Sequence, residues 1–185
     1  MVITIKSFKK GKKMEKRLKN LYNSAFPADE RAPFHLMISR LRKGRAEMLA
    51  AFDGEEFIGF AYTVCYEDLV YLFYLAIEED KRGSGYGSLI IKGIKKKYQG
   101  KRIFLAREQL DISAQNYPQR ISRHRFYLRN GFKDLPLYIK EASVVYDVMS
   151  IGGNILPEEY NHLIKFWSGR LLNSFLDMSM IENKP

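Results

Sequence analysis

The residues best suited to chemistry lie between positions 82 and 88, where Arg82, Gly83, Ser84, Gly85, Tyr86, Gly87 and Ser88 follow the apolar run "YLFYLAI". Glycines at alternate positions let main-chain amides close on an anion, and a helix beginning there adds the positive end of its dipole. Arg82 supplies a charged donor beside them. The stretch therefore reads as a phosphate cradle. A P-loop needs Lys and then Ser or Thr after its last glycine, whereas Ser88 and Leu89 follow Gly87. A dinucleotide fingerprint needs G-x-G-x-x-G and an acid about twenty residues on. Here the loop is G-x-G-x-G and the later region is Arg102–Leu105. Neither nucleotide site is expected, and no metal is expected. Cys65, the single cysteine, has no base near it in sequence and reads as a small buried hydrophobe. His124 lies among arginines and reads as a solvent-facing or packing residue.

The elements that must position this loop follow from periodicity and breakers. Residues 2–8 alternate like an edge strand, and 14–26 place Leu18, Leu21, Tyr22 and Phe26 on one helical face that Pro27 ends. A loop follows to Pro33, and 34–44 form a second short helix stopped by Gly44. Residues 46–77 divide into three strands at the Asp53-Gly54 hairpin and the Glu67-Asp68 turn. After the glycine turn comes an amphipathic helix with Leu89, Ile90 and Ile94 on one side and lysines late in its length. A strand over 102–110, a helix over 118–132 and a strand pair over 137–151 complete a β-α-α-β-β-β-α-β-α-β-β-α order. A last helix over 157–178 opens on Pro157 and two acids and carries Tyr160, Leu163, Ile164, Trp167, Leu171 and Phe175 on one face. The class is α/β, in one domain spanning 1–185.

Composition narrows the setting. The chain carries 31 Lys and Arg against 21 Asp and Glu, a net charge of +10, which draws anions without choosing among them. The basic residues form no single stripe and match no nucleic-acid module, so nucleic acid is not the expected partner. The first residues run apolar then basic, the reverse of a secretory signal, and no run is long enough to span a bilayer. With one cysteine, a cytoplasmic location is expected and no membrane partner.

The loop does not stand alone. "RGSGYGS" after a strand ending L-A-I, followed forty residues later by "RFYLRNGF", resembles the GNAT superfamily of acetyl-CoA-dependent N-acetyltransferases. Arg82, Gly85 and Gly87 fill its [QR]-x-x-G-x-[GA] pyrophosphate motif, and Phe126, Tyr127, Gly131 and Phe132 fill its F-Y-x-x-x-G-F motif. The stretches "FPADER" and "QRISRHRFY" are similar to a bacterial subgroup of small members.

The resemblance implies a GNAT fold with a mixed central sheet of about six to seven strands flanked by helices, plus an extra C-terminal helix. It implies acetyl-CoA as co-substrate and transfer of acetyl to a primary amine of a small molecule or peptide by direct attack. Leu75, Ala76 and Ile77 would pair through main chain with the pantetheine arm, and Arg82 through Ser88 would hold the pyrophosphate. Tyr127 would protonate the leaving sulfur. The carboxylate that histone-type members use as base falls on Tyr71, which is no base. Ribosomal-protein alanine acetyltransferases carry theirs at a position matching Ala106. Glu108, two residues along the same strand face, is the candidate here, ahead of Glu67. The family's cofactor-binding Asn falls on Arg120, and Asn116, one helical turn earlier, is taken as its counterpart. The loop holding Phe26, Asp29, Glu30, Arg31 and Phe34 would shape the acceptor side, and a homodimer is compatible with the reading. Two rivals stay open, a non-catalytic acyl-CoA-binding regulatory module and a basic nucleic-acid or ribosome binder.

Overall fold

A computed structural model describes residues 2–8, 11–141, 144–169 and 178–182. Its strands are β1 (Thr4–Ser7), β2 (Glu47–Asp53), β3 (Glu56–Tyr66), β4 (Leu69–Ile77), β5 (Arg102–Glu108), β6 (Lys133–Glu141), β7 (Val144–Ile151) and β8 (Met178–Ile181). Its α-helices are α1 (Lys12–Ala25), α2 (Phe34–Arg42), α3 (Tyr86–Lys97), α4 (Tyr117–Arg129) and α5 (Pro157–Ser168). The fold is α/β with mixed strand pairing, parallel between β4 and β5 and antiparallel in the other ladders described below. Two compact units divide the chain, Met1–Val64 with Leu72–Tyr98 and Cys65–Tyr71 with Gln99–Pro185.

In the first unit the strand order is β1-β2-β3-β4. The Asp53-Gly54 hairpin forms as its turn chemistry requires, with Gly54 at φ 58. Between Ala51 and Phe52 the register skips Ile58, so the extra residue of the bulge lies in β3. Most of β3 is buried, as a strand covered on both faces must be. Helix α1 buries Leu18, Leu21 and Tyr22, and α2 buries Met37 and Ile38. Helix α3 buries Ile90, Ile91 and Ile94, so its inner face is turned slightly from the expected one, and Leu89 is only half-buried. One close approach explains a strand glycine: a Cβ on Gly59 would lie 2.2 Å from the Ala76 carbonyl oxygen.

In the second unit the order is β4-β5-β7-β6-β8, with β4 contributing Leu69, Val70 and Tyr71 in parallel register with Arg102, Ile103 and Phe104. Tyr71 stacks on Phe104 at 4.4 Å between ring centroids, and both meet the buried Tyr160 of α5 edge-on. Helix α5 also buries Leu163, Ile164 and Trp167, each such side chain contributing about 1.5–3 kcal/mol. Its first turn is fixed by Arg102. That guanidinium donates to the carboxylates of Asp68 (2.8 and 2.9 Å) and Glu159 (2.6 and 2.9 Å) and to the Asn154 carbonyl at 2.8 Å.

The eight strands exceed the six to seven expected, because the chain after α5 contains β8, which pairs antiparallel with β6. The C-terminal helix was expected to run to 178, but α5 ends at Ser168. Gly169, at φ 74, supplies the left-handed stop that only glycine adopts without strain. Leu171 and Phe175, assigned to the same helical face, lie outside the described residues.

Candidate active site

Two sets of predicted residues form local arrangements, one in each unit. In the first unit, β4 delivers the chain into a single 3-10 turn, Glu79–Lys81, and then into the glycine stretch. Gly83 and Gly85 take φ of 77 and 84, values that side chains resist, although a Cβ at either would meet open space. The need for glycine here is conformational and not steric. Gly85 caps α3 by accepting the amides of Ser88 and Leu89 at its carbonyl (3.1 and 3.3 Å). The five amides from Gly83 to Gly87 donate to no backbone carbonyl among the described residues, and Gly83–Gly85 are exposed. Such a run of free N–H groups at a helix N-terminus favours an anion through both hydrogen bonds and the dipole.

The side chains around the turn are fixed in ways the sequence did not indicate. Tyr86 donates its hydroxyl to Asp53 of the β2–β3 hairpin at 2.7 Å, so what it offers a ligand is its amide. Arg82 points back along the chain and donates Nε to the Ile77 carbonyl at 3.2 Å, which leaves its terminal nitrogens for an anion. Ser84 and Ser88 are exposed. Ahead of the turn, Leu75 and Ile77 are half-buried and Ala76 is buried. The β4 ladder to β5 ends at Tyr71, so Leu75–Ile77 have no partner in β5.

In the second unit, Glu108 at the end of β5 meets Asn116 and Arg120 at the start of α4. Asn116 donates Nδ2 to the Glu108 carboxylate at 2.8 Å and accepts from Arg120 Nε at 2.7 Å. Arg120 also pairs with Glu108 at 3.2 Å, and Arg123 closes on its other carboxylate oxygen. Glu108 is thus nearly enclosed, at 12% exposure, with three donors on it. An incoming ammonium would have to displace a guanidinium to reach it. Asn116, assigned to the cofactor, spends both ends of its amide on this cluster. Beside it, the buried Arg107 spans Asp134 (3.0 Å) and Asp147 (2.9 Å), and His124 Nε2 sits on the same Asp134 carboxylate at 2.9 Å. Neither arrangement was legible from residue spacing.

Tyr127 lies in α4, none of whose residues is fully buried. Its ring is half-buried, edge-on to Phe126 (5.1 Å) and Phe132 (5.5 Å). Burial pushes its phenol up to about 12, with Arg123 pulling it part of the way back. The hydroxyl therefore keeps its proton at neutral pH. The histone-type base position, Tyr71, is 2% exposed and occupied by core packing. Glu67 sits at a positive φ of 53 in the β3–β4 turn.

A family model described as "Acetyltransferase (GNAT) domain" matches residues 44–134, a span that includes the glycine turn, Glu108 and Tyr127. No curated protein matches the chain. Among solved structures, a GNAT-family protein from Bacteroides thetaiotaomicron aligns with TM-score 0.65 at 21% identity, covering 88% of this chain and 93% of its own. An aminoglycoside 6'-N-acetyltransferase complexed with coenzyme A aligns at TM-score 0.62 and 16% identity, covering 80% and 96%. The ribosomal-protein-S18-alanine N-acetyltransferase from Escherichia coli aligns at 0.60 and 16%, covering 84% and 99%. A GNAT acetyltransferase domain model thus matches the residues that build the turn and the tyrosine helix, and the chain has the same fold as these proteins.

Proposed function

We propose that the chain works as a single catalytic domain that transfers acetyl from acetyl-CoA to a primary amine by direct attack. The observation that carries this reading is the run of free amides at Gly83–Gly87, presented at the N-terminus of α3. Arg82–Ser88 hold the pyrophosphate, and the main chain of Leu75–Ile77 pairs with the pantetheine arm as an added strand would. The neutral amine attacks the thioester carbon, the tetrahedral oxyanion collapses, the C–S bond breaks, and the thiolate takes a proton as the new amide nitrogen loses one. Tyr127 is the donor toward sulfur, a role that suits a phenol kept neutral by burial. A cysteine-like thiol, with a pKa of about 8.5, is a stronger acid than the Tyr127 phenol, so complete transfer from Tyr127 would be uphill. Tyr127 therefore acts chiefly as a hydrogen-bond donor to the departing sulfur. Glu108 serves as base only by releasing a guanidinium partner; a bound water on its carboxylate accepts the proton otherwise.

The acceptor is a small molecule or peptide amine, and the setting is the reducing cytoplasm that one free cysteine suits. Among the described residues no helix is long and apolar enough to cross a membrane. A second reading, acyl-CoA binding without turnover, draws support from the enclosed Glu108 and the core position of Tyr71.

Isothermal titration with acetyl-CoA, with ATP and NAD as controls in the same salt, tests the turn. Selective acetyl-CoA binding is expected; equal or absent binding of all three would sink the assignment. Turnover on a panel of amines then separates the catalytic from the binding-only reading.

A further inference from the structure

A groove of about 530 Å³ opens between α1, α2 and the loop joining them, wholly within the first unit. Its charged described residues are Lys19, Arg31 and Arg42 against Glu15 alone, a net of two positive charges. Arg31 is aimed by Asn23, whose side-chain oxygen and carbonyl accept its Nη1 at 2.9 and 3.3 Å. The N-terminus of α2 adds to this. Leu36 and Met37 donate to the Pro33 carbonyl, while the amides of Phe34 and His35, both on the groove wall, have no backbone acceptor among the described residues. Cations and a helix N-terminus converge on one cavity, an arrangement that favours negative charge.

The groove is also rigid. Tyr22, 1% exposed, forms part of its wall and donates to the Ala32 carbonyl at 3.0 Å. Tyr74 of β4 accepts from the Ala32 amide at 3.0 Å and donates to the Glu30 carbonyl at 3.2 Å. The loop carrying Arg31 is therefore pinned at residues on both sides of it, so little ordering is left to a ligand.

We propose that this groove binds a small organic dianion, with Arg31 and the α2 amides gripping one anionic group and Lys19 and Arg42 offsetting the remaining charge. Phosphate monoesters and dicarboxylates share that chemistry. No residue of the glycine turn takes part, although Arg31 and Phe34 belong to the loop that the family resemblance places on the acceptor side.

Site-resolved amide NMR on the whole chain, titrated in low salt with inorganic phosphate and separately with malonate, distinguishes the two places an anion could settle. Saturable shifts at Phe34 and His35 are expected, separate from any at Gly83–Gly87. The doubly substituted R31Q/R42Q protein should bind at least roughly tenfold more weakly, two charge-assisted contacts being removed. Glu15→Gln should tighten binding by about two- to fivefold, because it deletes the opposing charge without removing a donor; a merely structural role would not produce that gain. Preference for phosphate or for malonate identifies the source of the charge. No saturable shift at Phe34 and His35 with either anion, or unchanged binding in R31Q/R42Q, overturns the proposal. Failure of acetyl-CoA to move Gly83–Gly87 would count against the cofactor turn alone.

Discussion

Replacing Gly59 with alanine tests how β4 is shaped for its cofactor. The new Cβ would lie 2.2 Å from the Ala76 oxygen, 3.0 Å from Ile77 Cα and 3.1 Å from the Ala76 carbonyl carbon, all backbone atoms. A carbon and a carbonyl oxygen approach no closer than about 3.3 Å, so β4 must retreat by roughly 1 Å at Ala76. Overpacking of this kind costs about 1–3 kcal/mol. Without the clash the sign reverses, since alanine in a strand is favoured over glycine by roughly 0.5–1 kcal/mol. The same retreat moves the main-chain groups of Ala76 and Ile77 proposed to pair with pantetheine. Two hydrogen bonds of about 1 kcal/mol each correspond to roughly 30-fold in affinity. Urea unfolding and acetyl-CoA titration of G59A should therefore show lower stability and weaker binding together. Equal or higher stability would refute the packing argument. Lower stability with wild-type affinity would refute the role of Ala76 and Ile77 in holding the arm.

Other perturbations separate local roles. Tyr127→Phe should lower turnover by about 10²-fold or more while leaving acetyl-CoA affinity within a few-fold, and an unchanged rate would remove it as the donor to sulfur. At Gly85, φ 84 tolerates Asn far better than Val, so Gly85→Asn should retain coenzyme A binding that Gly85→Val loses; equal behaviour of the pair would show that the left-handed turn is not required. Acid should unfold the protein through its paired carboxylates. Desolvation pushes Asp134 up, but hydrogen bonds from His124 and Arg107 outweigh it and hold the carboxyl below its ordinary range, and Arg102 does the same for Glu159. With folded pKa values depressed, their stabilisation is present above the unfolded pKa of about 4 and is lost as pH falls through the folded values. The urea midpoint should be flat from neutral pH toward pH 5 and drop below about 4, with Asp134→Asn removing part of that drop.

What was legible in the sequence was local. The glycine turn needs seven consecutive residues, and its φ values and free amides follow from their identity. The tyrosine helix was equally readable, because its aromatics and its Asn130-Gly131 stop are close in the chain. Gly59 carried a usable signal, an isolated glycine inside a strand pattern, which commonly marks close backbone approach. The surroundings of Glu108 were not readable. Arg120 and Arg123 are three apart and share a helical face, but which acid they meet depends on the path of residues 109–116. Arg102 joins partners 34 and 57 residues distant, which residue spacing does not reveal. The groove of α1 and α2 depends on how two helices and a loop come together, which periodicity does not specify. The length of the last helix was overestimated because an apolar seam continued past Gly169, and the conformational stop outweighed the pattern.

The reach of Arg102 has a consequence for synthesis on the ribosome. As the chain emerges, Arg102 can pair with Asp68 as soon as β5 forms, but Asn154 and Glu159 appear only some fifty residues later. Until then the second unit holds half of its ionic junction, and the aromatic pair Tyr71 and Phe104 lacks the Tyr160 ring that covers it. Elongation at roughly 5–20 residues per second makes that interval a few seconds to ten. A nascent chain stalled short of α5 should thus display an apolar patch to chaperones, and emergence of α5 should be what withdraws it.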